Sequence, residues 1–139
     1  MSQSPITVAR ALHGALEAGL NGKALEEFFT PDASTIERPN LIKPRGALIG
    51  LPEMMSNSTA GAGLLARQSY ELVDAVAHDD LAILRLLWTG TVARDVGPFR
   101  ARQQLTAHIA QFVTTRDGRI SKIETYDCYE PFSEGGSQG

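Results

Sequence analysis

Four long strand-like segments fill the second half of the chain, and only short turn sequences separate them. The segments are rich in β-branched and aromatic residues and run Gln68–Ala77, Leu81–Arg94, Arg100–Thr115 and Arg119–Tyr129. Between them stand His78-Asp79-Asp80, Gly97-Pro98 and Asp117-Gly118, which are typical of turns. Because consecutive strands joined by short turns pair side by side, this half is predicted to form a four-stranded antiparallel meander.

The first part of the chain has a helical pattern instead. Ser4-Pro5 is typical of a helix start. Apolar residues then recur at helical spacing until Gly19 and Gly22 end the pattern: Ile6, Ala9, Leu12, Leu16 and Leu20. A short second helix is predicted over Leu25–Phe29, and a strand over Ala33–Arg38 that ends before a proline. We expect two helices to precede the first strand.

The stretch from Pro39 to Gly63 is rich in proline, glycine and serine, and only Leu48–Met55 is apolar enough for a third short helix. Residues Leu51–Gly63 carry few large apolar groups, so this segment is predicted to be a mobile cover over the mouth of a pocket. Helices followed by a meander favour an α+β fold in which a strongly curved sheet wraps around the N-terminal helices.

Composition allows one domain and excludes several classes of partner. A chain of 139 residues with 42% hydrophobic content buries roughly two-thirds of its unfolded surface, so residues 1–139 are expected to form a single domain. Interspersed charges with a net value of −3 exclude nucleic acid and anionic membranes as main partners. No export signal or membrane-spanning run is visible, and Cys128 is the single cysteine. We therefore expect a cytoplasmic location.

The final strand places an acid on a face that otherwise belongs to a core. Residues two apart in a strand share a face, so Ile123, Thr125, Asp127 and Tyr129 lie on one side. Burial of a carboxylate without partners costs several kcal/mol or raises its pKa. The side that holds Asp127 is therefore either a polar pocket or solvent.

Three local motifs, together with the predicted order of elements (helix, helix, strand, helix and meander), resemble a known family. They are Phe28-Phe29-Thr30-Pro31-Asp32-Ala33, Trp88-Thr89-Gly90-Thr91, and Asp117-Gly118-Arg119-Ile120 leading to Tyr126-Asp127-Cys128-Tyr129-Glu130-Pro131. From about Val8 to Phe132 the chain resembles the SnoaL-like, polyketide cyclase-like branch of the nuclear transport factor 2-like or ketosteroid isomerase-like superfamily.

The resemblance implies a conical curved antiparallel sheet around the N-terminal helices, also called a cystatin-like roll. It further implies a deep pocket between sheet and helices and a homodimer formed through the outer face of the sheet. On this basis the ordered core is expected over about residues 5–132, with 133–139 as a disordered tail. Relatives include ketosteroid isomerases, polyketide cyclases and epoxide hydrolases, so the fold alone does not fix a function.

An ungapped comparison with the ketosteroid isomerases leaves their catalytic groups without counterparts. Arg38 stands where those enzymes hold their carboxylate base, Gly14 where they hold a tyrosine, and Ala110 where they hold a protonated acid. A guanidinium cannot abstract a proton. The comparison therefore predicts no steroid isomerase activity.

The same comparison suggests a different set of candidate residues. It places His108, Ala110 and Phe112 on the cavity side of the penultimate strand, beside Thr125, Asp127 and Tyr129. His108 and Asp127 are then candidate acid/base residues, because a carboxylate beside an imidazole raises the pKa of the ring. Arg38 would neutralise Asp127 or hold an anionic ligand group, and Phe28 and Trp88 would be core or pocket wall.

Each of these residues also has a structural interpretation. Arg38 and Asp127 could form an ion pair without chemistry, and His108 could be a core residue. His13 is interpreted as a helix-surface residue. Three histidines without ligand spacing predict no metal, and no cofactor is expected. The opposite face is expected to form the dimer interface through Ile109, Gln111, Val113, Tyr126 and Cys128.

Two functions are compatible with the sequence. One is a small cofactor-independent isomerase, cyclase or hydrolase acting by acid/base chemistry on an apolar, oxygen-bearing small molecule. The other is a non-catalytic ligand-binding or dimerisation module of the same fold. An open pocket with Asp127, His108 and Arg38 converging on one point would favour the enzyme.

Overall fold

Three helices and six strands follow one another in a computed structural model that describes residues 3–132. Helix α1 (Pro5–Glu17) and a 3₁₀ helix (Gly22–Phe28) come first. They are followed by β1 (Phe29–Glu37), β2 (Ala47–Gly50), α2 (Leu51–Leu64), β3 (Leu65–His78), β4 (Leu81–Val92), β5 (Gln104–Arg116) and β6 (Arg119–Tyr129). The tail predicted over 133–139 lies outside the described residues.

Helix α1 begins as its sequence predicts. The hydroxyl of Ser4 accepts a hydrogen bond from the backbone N–H of Ile6 at 3.1 Å, and Pro5 occupies the first turn, where its missing N–H is not needed. The helix ends at Glu17, and Gly19 follows with a left-handed φ of 90°. A residue without a Cβ adopts this conformation at little cost.

All six strands form one open sheet in the order β2-β1-β6-β5-β4-β3. Strands β3 to β6 pair as consecutive antiparallel neighbours, which confirms the predicted meander. Strand β1 lies parallel to β6, so the sheet is mixed. The helices cover the concave face, which we call the inner face, and α1 packs on β3, β4 and β5. The predicted α+β cone is confirmed.

The segment after β1 differs from the prediction. Residues Ala47–Gly50 form a strand that pairs with β1, whereas a helix was expected to begin at Leu48. Helix α2 begins at Leu51, with Pro52 in its first turn, and extends to Leu64. A short apolar run has no periodicity that distinguishes a helix from a strand. The backbone of β1 offers unpaired N–H and C=O groups to this run, so pairing with β1 makes it a strand.

The core lies between the inner face of the sheet and the helices. Alternation along β4 is regular, with Leu84 and Leu86 buried and Arg85 on the opposite, outer face. The largest fully buried side chains are Leu25, Leu84, Leu86, Val113, Ile120 and His13. Within residues 3–132, no helix is long and apolar enough to cross a membrane.

Candidate functional site

Asp127 lies on the inner face of β6. Ile123 and Thr125, which share this face, are buried, whereas Tyr126 and Cys128 on the outer face are exposed. The alternation predicted for this strand is therefore correct. Asp127 is half-buried and directly opposite Ile109 of β5.

One hydroxyl supports the carboxylate of Asp127. The Oγ1 of Thr125 donates to Asp127 Oδ1 at 2.6 Å, and no other hydrogen bond or ion pair reaches this carboxylate from residues 3–132. Burial raises the pKa of Asp127, the bond from Thr125 lowers it, the charge of Glu37 raises it and that of Lys43 lowers it. Because burial is the largest effect, the pKa lies above its ordinary value.

A second carboxylate, Glu37, faces the interior from the end of β1. It stands opposite Thr125 in the parallel register, so both side chains lie on the inner face. Its Oε1 is 3.5 Å from the ammonium of Lys43, and its Oε2 accepts a hydrogen bond from Asn40 at 2.8 Å. The sequence interpretation did not include Glu37, because no apolar alternation marks the end of β1.

Glu37 and Lys43 line a cavity of about 280 Å³ between α1, α2, β1 and β6. Its other walls are mainly apolar and come from Leu12, Leu16, Leu25, Phe29, Ile49, Met54, Met55 and Ile123, with Thr35, Asn57 and Ser58. Glu37 and Lys43, the two charged groups in the wall of this cavity, are also the two charges that influence the pKa of Asp127. Asp127 therefore lies next to the charged end of an otherwise apolar cavity.

Two tyrosines share the inner face with Asp127. Tyr70 of β3 pairs with Trp88, Trp88 with Ala107 and Ala107 with Tyr129, so a single row crosses four strands. Burial raises the pKa of Tyr70 and of Tyr129 well above the ordinary range, and the negative charge of Asp127 adds to both shifts. Both hydroxyls therefore stay protonated at neutral pH.

Trp88 lies between the two tyrosines and belongs to the buried core. Its Nε1 donates to the Oε1 of Gln68 at 2.9 Å, and its ring meets that of Tyr129 edge-on at 6.2 Å. A Cβ on Gly90 would lie 2.6 Å from the Trp88 ring, so only glycine leaves room for it. Phe28, the other expected wall residue, is partly buried and packs against the core.

His13 is buried, contrary to its interpretation as a surface residue, with only 2% of its area exposed. Its Nε2 is 3.0 Å from the Oε1 of Gln111, and its ring stacks on Tyr70 with centroids 4.8 Å apart. Burial lowers its pKa. The helical spacing from Ala9 to His13 to Leu16 could have identified it, since those positions share one face.

His108 does not contact Asp127, and this expectation was wrong. His108 lies on the outer face, 62% exposed, with its Nε2 at 2.9 Å from Glu130. Ala110 and Phe112 share that face, and the Phe112 ring packs edge-on against Tyr126 at 5.8 Å. A shift of one residue reverses every side chain of a strand, so the inner residues of β5 include Ile109, Gln111 and Val113 instead.

Arg38 also points away from Asp127. Its Nε donates to Glu124 Oε2 at 2.8 Å on the outer face of the sheet. The expected pairing of Arg38 with Asp127 was therefore wrong, since the last residues of β1 alternate and Glu37 takes the inner position. Arg38 and Ala110 both face outward, so neither residue shows what occupies the inward position of the isomerase groups. The predicted lack of steroid isomerase activity therefore loses part of its argument.

The part of the chain that the structure describes contains no group of three His, Cys, Asp or Glu side chains arranged to hold a metal ion.

Of the candidate site residues, Asp127, Thr125 and Tyr129 share the inner face of the sheet. Tyr70 and Glu37 lie on the same face, although the sequence did not indicate them. His108, Ala110, Phe112 and Arg38 lie on the outer face.

A cone-shaped α+β roll with polar groups on its inner face defines the class of small proteins with a nuclear transport factor 2-like fold. The SnoaL-like domain family matches residues 8–123. The chain belongs to this SnoaL-like family. No curated protein sequence matches it significantly.

Solved structures with the same fold differ widely in sequence. IdmH of Streptomyces antibioticus, a proposed polyketide cyclase, is 20% identical with a TM-score of 0.72, and the match covers 90% of this chain and 92% of IdmH. AclR of Streptomyces galilaeus, a proposed hydroxylase, is 14% identical with a TM-score of 0.71, and the match covers 88% and 74%. A protein of Catenulispora acidiphila with a ketosteroid isomerase-like fold is 19% identical with a TM-score of 0.65, and the match covers 86% of this chain and 83% of that protein. At these identities the likeness shows the fold alone.

Proposed function

We propose that this chain is a cofactor-independent enzyme that uses Asp127 to move a proton on an apolar, oxygen-bearing small molecule. The observation that carries the proposal is the environment of Asp127, which is an inward-facing carboxylate supported by Thr125 and paired with no cation in residues 3–132. A raised pKa brings a carboxylate closer to neutral pH, where it both takes and returns protons efficiently.

The neighbouring cavity suggests the size and polarity of the substrate. A volume of about 280 Å³ is at the lower end for small-molecule sites, and its walls are mostly apolar. The Glu37–Lys43 pair supplies polar contacts at one end only. A compact apolar molecule with an oxygen function at one end matches this distribution.

Helix α2 is the proposed cover of this cavity. Met54 and Met55 are buried, whereas most of the helix beyond them is at least partly exposed. Ser58 Oγ accepts a hydrogen bond from the backbone N–H of Gly22 at 2.8 Å, which holds the middle of the helix to the 3₁₀ helix. We expect backbone amides after Ser58 to exchange with solvent faster than those of α1 or β6. Equal protection in α2 and β6 would contradict a moving cover.

A homodimer through the outer face of the sheet is the second part of the proposal. The outer face carries exposed apolar residues, and a groove of about 340 Å³ crosses it. The groove is lined by Val73, Arg85, Leu86, His108, Ile109, Ala110, Tyr126 and Cys128. Of the interface residues expected from sequence, Tyr126 and Cys128 are on this face, whereas the side chains of Ile109, Gln111 and Val113 point inward.

The acid/base role is tested with a substrate that needs only a base. Ring opening of 5-nitrobenzisoxazole requires one proton abstraction and no cofactor, and its product is coloured. We expect Asp127→Asn to reduce the rate at least about a hundredfold, the lower end for a general base. Glu124→Gln removes a carboxylate from the same strand and should leave the rate unchanged. Equal rates for the two variants would exclude Asp127 as the base.

A further inference from the structure

A groove of about 690 Å³ lies at the end of the molecule where β1 and β6 begin, and we call it the end groove. Asp127 is near the opposite end of β6, so the groove is separate from the candidate site. Leu20 in the groove is 39% exposed. The apolar residues that line the groove are Leu20, Ala24, Phe29, Pro31 and Leu51. The end groove is therefore an apolar depression that remains open to solvent.

Polar contacts hold two walls of the end groove in place. At the start of β1, the carboxylate of Asp32 accepts hydrogen bonds from Arg116 at 2.6 Å and from Thr30 at 2.7 Å. The start of the 3₁₀ helix is held to α2, because the backbone N–H of Gly22 donates to the hydroxyl of Ser58 at 2.8 Å. A surface whose shape exists before binding loses little freedom when a partner arrives.

Four charged side chains line the same groove without partners. Lys23, Glu26 and Glu27 belong to the 3₁₀ helix, and Arg119 is the first residue of β6. Among residues 3–132, none of the four makes an ion pair or a side-chain hydrogen bond. Two positive and two negative groups leave the groove electrically neutral, whereas the whole chain has a net charge of −3.

We infer that the end groove is a contact surface between two copies of this chain. In a two-fold symmetric contact the same patch is used by both copies, so each cation of one groove can face an acid of the other. A patch that carries both signs is then complementary to itself, and the contact pairs charges that the single chain leaves free. Its neutrality also limits the repulsion between two negatively charged copies.

This contact differs from the proposed interface on the outer face of the sheet. No residue lines both the end groove and the groove of about 340 Å³ on the outer face. A chain with two separate two-fold contacts links its dimers into larger assemblies. Because exposed charge pairs each contribute little, the end-groove contact is the weaker of the two and forms at higher protein concentration.

The test uses the Tyr126→Glu protein as the parent, because its sheet interface is weakened. Sedimentation velocity at concentrations up to about 1 mM should show a weak dimer, as expected for a small interface. Glu26→Lys with Glu27→Lys reverses the acids, and Lys23→Glu with Arg119→Glu reverses the bases. Either double reversal brings like charges together and should raise the dissociation constant at least about tenfold.

An equimolar mixture of the two reversed proteins tests the pairing directly. One end groove is then wholly positive and the other wholly negative, so the mixture should form a one-to-one dimer at least as tight as that of the parent. The control replaces the base-reversed protein by Arg45→Glu with Arg100→Glu, which has the same net charge but both changes outside the groove. It should bind the acid-reversed protein at least about tenfold more weakly than the base-reversed protein does.

Three results would overturn the inference: a parent that stays monomeric at about 1 mM, equal association of the parent and both reversed proteins, or equal binding in the mixture and its control. If a reversed protein does not fold, Leu20→Gln in the parent removes apolar area instead and should weaken association severalfold. Unchanged association would then count against the end groove. None of these measurements involves Asp127, so their failure leaves the acid/base proposal intact.

Discussion

Two carboxylates three residues apart on β6 have opposite environments. Asp127 faces inward, carries no ion pair within residues 3–132, and has a pKa raised mainly by burial. Glu124 faces outward, where Arg38 and the hydroxyl of Tyr126 both donate to it and lower its pKa. The charged form of the outer carboxylate is stabilised by its two donors, whereas burial outweighs the single donor of the inner one and disfavours its charged form. A side chain kept in an unfavourable charge state is a better candidate for chemistry than one whose charge is satisfied.

The inner wall and the outer surface as a whole also differ in what holds their side chains. Inside, close packing fixes Trp88, Tyr70 and His13, so changes there should have large effects. Outside, exposed ion pairs such as Arg85–Asp74 contribute little, because water screens them and the side chains lose freedom. The stability predictions below that compare two substitutions set a position of the interior against a position on the surface.

The largest effect is expected at Gly90. A Cβ there would approach the Trp88 ring to 2.6 Å, so Gly90→Ala must displace the ring and its hydrogen bond to Gln68. We expect a loss of about 3 kcal/mol in the free energy of unfolding. Gly14→Ala meets nothing within 4 Å and should stabilise α1 by about 0.5–1 kcal/mol. Chemical denaturation measures both, and equal effects would contradict the packing of Trp88.

The next effect is expected at His13. His13→Gln removes the stack on Tyr70 and changes the bond to Gln111, and should cost about 2 kcal/mol. His78→Gln is the control, because the His78 side chain is 90% exposed, and it should change stability by less than about 0.5 kcal/mol. Thermal and urea unfolding of both variants would reveal the difference.

His13 also predicts a dependence on pH. Its pKa is lowered in the folded chain by burial and by Arg10, against opposing effects of Gln111 and Glu17. As pH falls through the ordinary value of 6.5, the unfolded chain takes up a proton that the folded chain resists, so stability decreases. The His13→Gln protein should lose less stability than the wild type between about pH 7.5 and about pH 5.5. Parallel curves would show that another group titrates.

These contrasts explain which parts of the site could be predicted. In β6 the alternation is clear from Lys122 onward, because Ile123 and Thr125 are buried whereas Lys122 and Tyr126 are exposed. In β5 apolar residues occupy both faces, with Ile109 inward and Phe112 outward, so the sequence pattern does not determine which side is buried. The pairing with β4 decides it, and that register is a tertiary property.

Tyr70 and Glu37 were missed for related reasons. In β3, an irregularity in the pairing between Leu72 and Asp74 changes which residues face inward, and exposed Val73 lies at that point. The inward direction of Glu37 follows from its parallel pairing with β6, a contact between segments far apart in sequence. Fold class was predictable from turns and periodicity, whereas the membership of the site depended on long-range pairing.

A smaller effect is expected at the outer face. Tyr126 is 41% exposed and belongs to the proposed dimer interface. Tyr126→Glu places a charge beside Glu124 and should raise the dissociation constant of the dimer at least about tenfold, because tyrosines often dominate interface energies. Leu41→Glu, in the loop between β1 and β2, is the control, since Leu41 is exposed but lies outside the groove. Light scattering over a concentration series measures both, and a monomeric wild type would contradict the interface.

The smallest effect concerns stability at Asp127 itself, and its sign distinguishes the two carboxylates. A carboxyl group with a raised pKa in the folded state stabilises the fold fully only below its unfolded pKa, and this contribution is lost as pH rises through the folded pKa. At neutral pH, Asp127→Asn should therefore increase the free energy of unfolding, by on the order of 1 kcal/mol, the usual size of a single-substitution effect. Glu124 has a lowered pKa and contributes stability above its unfolded pKa, so Glu124→Gln should leave stability unchanged or lower it.

The gain from Asp127→Asn should vanish in acid, where the aspartate is protonated in both states. Urea unfolding at neutral and acidic pH measures these differences. If Asp127→Asn instead lowered stability at neutral pH, Asp127 would be a structural residue, and the contrast between the inner and outer carboxylates would no longer indicate a catalytic group.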